Sequence, residues 1–197
     1  MTSKDDLPEV TILCEDIDQE RFIREYLICR GWSDRKIKNF GNVKGRIQNN
    51  NASVLKHYPK LVNSYRRRKY RNIAIVVMID DDTETLHKRM RSLHTSLDET
   101  AGNLNQDPRL EGEKIAIFVP ARNINTWFYY INHLGQDCDE ICDEITDRKK
   151  SMSIKERIDL AKSSAKILAE EICPHGVDRI GLPSLRYACT ELQRLYL

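Results

Sequence analysis

Two rhythms of apolar residues run along this chain. Short continuous runs rich in β-branched residues occupy Val10–Cys14, Ile73–Ile79 and Ile115–Val119. Runs of that length, bounded by polar or turn residues, predict strands buried on both faces. Lys36–Phe40 alternates more loosely and predicts a further, second strand in chain order. Between the runs, apolar positions recur at helical spacing. Phe22, Ile23, Tyr26 and Leu27 mark a helix from Gln19 to Arg30, ended by Gly31 as a C-cap. Ala52–Lys69 is helical in pattern, with Pro59 expected to split it. Thr83 is placed to cap a helix reaching about Thr100. After Pro120 the pattern is helical, over Asn123–Leu134, Ser153–Ile172 and Leu185–Leu195.

The resulting order, β-α-β-α-β-α-β followed by helices, predicts an α/β fold. Its sheet is mostly parallel and flanked by helices, because strands apolar on both faces need cover on both. Residues 1–120 are expected to form the α/β core and residues 121–197 a helical extension packed on it. Lys149 and Lys150 mark a candidate linker. No internal repeat or low-complexity tract interrupts this organisation.

Charge adds a polarity to the picture. The net charge is only +2, yet no acidic residue lies between Asp34 and Asp80, a stretch holding Lys44, Arg46, Lys56, Lys60 and Arg66 to Arg71. Asp137 to Asp147 is the reverse, dense in carboxylates with no cation. A basic face is thus available for phosphates. No apolar run approaches the roughly 20 residues needed to cross a bilayer, and residues 1–10 lack the apolar stretch of a secretory signal. The expected location is the cytoplasm, with no membrane partner. The six cysteines are scattered and suggest no disulfide framework in that compartment. His133, Cys138, Cys142, Cys173 and His175 lack the Cys-x2-Cys spacing of a zinc site and read as core or solvated residues. Neither a phosphate-binding Gly-x-x-x-x-Gly-Lys-Ser/Thr loop nor a Gly-x-Ser-x-Gly elbow occurs, which argues against ATP hydrolysis and serine hydrolase chemistry by this chain.

The candidate chemistry lies in carboxylates that follow strands. Glu15 follows the first strand; Asp80 and Asp82 follow the third. Ligands of open parallel sheets bind beyond the carboxyl ends of the strands. In extended chain, residues i and i+2 point the same way, so Asp80 and Asp82 share a direction that Asp81 does not. Gathered carboxylates repel, and a hard cation such as Mg²⁺ or Mn²⁺ relieves that repulsion. The alternative for Asp82 is to cap the next helix.

This arrangement resembles the Toprim domain, found in topoisomerases, primases and nucleases. Its glutamate after the first strand matches Glu15 in Ile12-Leu13-Cys14-Glu15-Asp16. Its later Asp-x-Asp matches Asp80-Asp81-Asp82. Pro120 to Trp127 is similar to a stretch in small Toprim-like proteins associated with bacterial defence against phage, except that Asn125 stands where those carry a glutamate. The resemblance implies Mg²⁺- or Mn²⁺-dependent phosphodiester chemistry, with Glu15, Asp80 and Asp82 both catalytic and metal-binding. A stand-alone nuclease in anti-phage defence is the function it implies. The alternative is a catalytically weak binding module, for nucleic acid or protein, in a defence complex with a separate ATPase subunit. Lys44 and Arg46, in the loop after the second strand, and Arg122, after the fourth, are the candidate nucleic-acid contacts. Trp127, Phe128 and Tyr130 could stack on bases, but pack a helix on the sheet in the reading favoured by their apolar area.

Overall fold

The computed structural model describes residues 6–40, 50–68, 70–81, 85–101, 109–133, 152–176 and 180–197. Four strands form one sheet: β1 (Glu9–Leu13), β2 (Ile37–Asn39), β3 (Ile73–Met78) and β4 (Ile115–Phe118). All pair in parallel, in the order β2-β1-β3-β4. The chain therefore leaves β1 toward one edge, returns, and builds the other half of the sheet on β1's opposite side.

Strand alternation sorts the core into two layers. Val10 and Ile12, Ala74, Val76 and Met78, and Ala116 and Phe118 face one cluster. Leu13, Ile75, Val77, Ile115 and Ile117 face the other. The second layer is closed by α2 (Asn51–Arg67) and α3 (Leu86–Ala101), which lie side by side. The first is closed by α1 (Ile17–Cys29), α4 (Ile124–Asn132), α5 (Ile154–Ile167) and α6 (Pro183–Leu192). The α1 side of the core is thus shared between residues before β2 and residues after β4, with α1 packed closely on α5.

Local signals account for most boundaries. Gly31, at φ 102°, ends α1 in a double C-terminal cap: its N–H reaches Ile28 O, and the Trp32 N–H reaches Leu27 O. Ser153 and Glu156 form a reciprocal capping box on α5, which a π-helical turn, Leu168–Ile172, continues. Pro59 does not split α2, which runs through it unbroken. A mid-helix proline costs about 3 kcal/mol. Here Val54, Tyr58, Leu61, Val62 and Tyr65, buried along the same helix, offset that cost. The helix after β3 starts at Leu86, and Thr85 Oγ1 accepts the Lys88 N–H. The expected cap, Thr83, lies outside the described residues.

One further feature departs from the sequence reading. Cys173 and Cys189 are joined in a disulfide, tying the turn after α5 to α6. Their separation of 16 residues in sequence gave no framework pattern, and only the packing of the two elements brings the thiols together. The edge strand β4 is covered by α6, whose Glu191 Oε2 accepts the Ile117 N–H at 3.0 Å. Glu191 is also paired with the Arg109 guanidinium. Burial nevertheless pushes its carboxyl up from the ordinary range, outweighing the Arg109 charge.

Trp127, Phe128 and Tyr130 are buried in the α1-side layer. The Trp127 indole N–H donates to Ser184 Oγ, and Phe22 packs on Trp127 and Phe128. They are core residues, unavailable for base stacking.

Candidate functional site

The strand order makes one place in the sheet special. Between β1 and β3 the connections diverge, and such a switch point opens a crevice beyond the carboxyl ends of the two strands. Glu15 follows β1 there, and Asp80 follows β3. The two are joined directly: the Asp80 backbone N–H donates to Glu15 Oε1 at 2.8 Å. A third residue, Gln19, bridges them. Its Nε2 donates to Asp80 Oδ1 at 2.8 Å, and its Oε1 accepts the Glu15 backbone N–H at 2.9 Å. Gln19 is fully buried in the first turn of α1.

Local sequence explains how Gln19 arrives there. Asp16 is the N-cap of α1 and accepts the Gln19 N–H, as the spacing Asp16-x-x-Gln19 allows. In an ordinary capping box the glutamine would reach back to the cap's own N–H. Here it reaches one residue further, to Glu15, and turns its amide toward β3. The capping spacing is visible in the sequence; the bridge to Asp80 depends on β1 and β3 being neighbours.

The acidic residues around this edge divide by partner. Asp18, buried, is held by the Arg157 guanidinium at 2.5 Å. Glu20, also buried, meets Arg24 at 2.5 Å, and Asn39 at 3.0 Å ties the pair to β2. Those two carboxylates anchor α1 to α5 and β2 through arginine or amide donors. A peptide N–H donates to Glu15 and an amide N–H to Asp80. The Cys14 thiol directly precedes Glu15 in the chain. Burial first, then the Asp16, Glu20 and Glu15 carboxylates, push it well above the ordinary thiol range.

Carboxylate oxygens are hard donors of the kind that Mg²⁺ or Mn²⁺ takes. Asp82 lies outside the described residues, as do Lys44 and Arg46. Among the described residues no group of three or more Asp, Glu, His or Cys side chains is placed to hold a metal ion. The described part of the acidic triad is thus the Glu15–Asp80 pair.

Asp81 turns away from Asp80, as alternation predicts. Its N–H donates to Pro120 O at 3.1 Å, and its Oδ1 accepts the Arg122 N–H at 2.5 Å. The buried Arg89 donates to its carbonyl oxygen at 3.2 Å. Asp81 therefore fastens the end of β4 to the end of β3 and holds Arg122 at φ 59°, in the left-handed region. Such a conformation costs a non-glycine residue on the order of 1 kcal/mol or more. Arg122 is exposed at the same sheet edge as Glu15 and Asp80.

Asn125 is buried in the first turn of α4, and its Nδ2 donates to Asn123 Oδ1 at 2.8 Å. It lines a cavity of about 210 Å³ with Phe128, Tyr129, Asn132 and His133. The zinc alternative loses Cys173, which is in the disulfide; Cys138 and Cys142 lie outside the described residues.

No helix of the described residues is long and apolar enough to cross a membrane. No family model and no curated protein matches the chain. Two solved structures follow a similar course. The C-terminal region of the OLD protein of Xanthomonas campestris pv. campestris aligns over 97% of this chain and 95% of its own, at 17% identity and a TM-score of 0.40. The C-terminal region of the Burkholderia pseudomallei OLD protein aligns over 94% and 97%, at 10% identity and a TM-score of 0.38.

Proposed function

We propose that this chain is a Toprim-type, Mg²⁺- or Mn²⁺-dependent phosphodiester hydrolase, a nuclease of bacterial anti-phage defence. One observation carries the reading. Glu15 and Asp80 end the two strands that flank the switch point, and Gln19 locks them together. The defence setting follows from the resemblance of residues 120–127 to small Toprim-like proteins.

In this reading Asp80 and Asp82 hold the ion. When bound, the ion lowers the pKa of water and neutralises charge on the phosphate oxygens. Glu15 holds a second ion, or takes a proton from water or gives one to the leaving oxygen. Gln19 fixes the Asp80 carboxylate relative to the Glu15 backbone. Arg122 grips a substrate phosphate from β4, and Lys44 and Arg46 do so from the loop after β2.

The test is direct. The purified protein is incubated with plasmid, single-stranded DNA and structured RNA, with Mg²⁺, Mn²⁺ or chelator. Cleavage is expected only with metal, and is lost in Glu15→Ala and Asp80→Ala. Wild-type yield from Asp80→Ala would sink the mechanism. Binding without products would favour the second reading, a binding module acting beside a separate ATPase subunit. Asn125 favours that alternative, because it supplies an amide where Toprim-like relatives supply a carboxylate. Co-purification with an ATPase would support the assembly.

A further inference from the structure

The outer face of the α2–α3 layer is cationic in a way the sequence did not show. Sequence alone marked residues 35–71 as basic. The sheet topology adds α3, which packs beside α2 on the same side. Exposed on α2 are Lys56, Lys60 and Arg67, and α2 contains no acidic residue. Exposed on the first half of α3 are Lys88 and Arg91. The acidic residues of α3, Asp98 and Glu99, come only toward its end.

The opposite face is built differently. On α5 the exposed Lys155, Lys162 and Lys166 alternate with Glu156 and Asp159. That mixture is what a solvated helix gains from, since opposite charges at i, i+3 or i+4 attract. On α2, Lys56 and Lys60 stand at i, i+4 and repel, and no carboxylate of the helix relieves them. Not every cation of this layer is available. Arg66 is held by Glu113 in two hydrogen bonds, and Arg89 is buried against Asp81.

Direction matters as much as charge. Both helices follow strands and run back across the sheet, so both begin at the carboxyl edge, where Glu15 and Asp80 lie. The 17 residues of α2 span about 25 Å from there to the opposite edge. We propose that this face is a nucleic-acid track. A phosphodiester backbone leaving the acidic edge lies along α2 and α3, its phosphates met by Lys56, Lys60, Arg67, Lys88 and Arg91. The track deepens the nuclease reading and rests on it for the position of the reacting bond, but its binding is measurable without cleavage.

The test uses the full chain in chelator, so that no strand is cut. Fluorescently labelled single-stranded DNA, duplex DNA and RNA are titrated with wild type and with the combined variant Lys60→Gln, Arg67→Gln, Lys88→Gln, Arg91→Gln. All four side chains are exposed, so the thermal midpoint is expected to stay unchanged. Each lost phosphate contact lowers the slope of log affinity against log salt by about 0.9 on duplex and about 0.7 on a single strand. The variant is therefore expected to lose about three to four units of slope, and on the order of a hundredfold or more in affinity at about 0.1 M salt. The comparison variant Lys155→Gln, Lys162→Gln, Lys166→Gln is expected to bind as wild type does. An unchanged slope in the α2–α3 variant overturns the track, as does equal loss in the α5 variant. So does wild-type binding to phosphatidylserine vesicles but to no oligonucleotide, which would give the face to a membrane. Metal-dependent cleavage lost in Asp80→Ala but kept in the α2–α3 variant, with unchanged binding, would leave the catalytic reading standing and remove only this one.

Discussion

Gln19→Glu changes a single donor nitrogen to an oxygen at the point where β1 and β3 end together. In the wild type, Nε2 of Gln19 lies 2.8 Å from Asp80 Oδ1, and Oε1 lies 2.9 Å from the Glu15 N–H. The variant keeps the second contact and turns the first into oxygen facing oxygen. Two unit charges at about 3 Å repel by about 6 kcal/mol at an effective dielectric of about 20, an upper bound. The pair escapes part of that by retaining a proton, which pushes one of the two carboxyls up. At neutral pH the remaining loss, with the charge-assisted hydrogen bond to Asp80 gone, is expected to be about 2–4 kcal/mol. The sign with pH is set by the proton. A carboxyl raised in the folded state binds more protons there than in the unfolded chain. The variant's stability therefore rises as pH falls through the raised value, and its deficit against wild type narrows. Gln19→Ala loses both hydrogen bonds, also about 2–4 kcal/mol, but adds no second charge, so its deficit narrows less in acid than that of Gln19→Glu. Urea unfolding of the three proteins at about pH 5 and about pH 8, in chelator, separates these outcomes. A Gln19→Glu deficit identical at the two pH values would show that the amide does not face the Asp80 carboxylate, and would remove the bridge.

Reduction of the Cys173–Cys189 bond, which closes a loop of 16-residue separation, is expected to cost about 3 kcal/mol. For a chain of this length that lowers the thermal midpoint by roughly 6–12 °C, read by calorimetry with and without reductant. No change would mean that α6 is held by packing alone. Cys14 is buried, and its thiol is pushed up by that burial and by neighbouring carboxylates. It is expected to resist alkylation in the native protein and to react fully in denaturant, as peptide mass spectrometry would record. Cys29, only partly buried and free, is expected to be modified first; faster native labelling of Cys14 would contradict the packing described around β1.

The sequence by itself determined which segments are strands and helices, and that the sheet had to be covered on both sides. Val10–Cys14, Ile73–Ile79 and Ile115–Val119 are continuous apolar runs, and such runs have one stable use in a mixed α/β chain. Placing Glu15 and Asp80 after strands needed no tertiary information either, since both follow their runs directly. What the sequence left undecided is everything that depends on which strands are neighbours. The order β2-β1-β3-β4 puts the ends of β1 and β3 side by side, and only that adjacency lets Gln19, fixed locally by the Asp16 cap, reach across to Asp80. The same adjacency sets α3 beside α2 and joins Lys88 and Arg91 to a basic helix about 30 residues away. The expected break at Pro59 and the unexpected Cys173–Cys189 bond have a related reason. Burial along the whole of α2 outweighs one lost backbone hydrogen bond, and two distant thiols meet only once α6 closes over the edge of β4. Local periodicity fixes elements within a few turns of chain, whereas pairing between elements is decided by the summed packing of the folded whole.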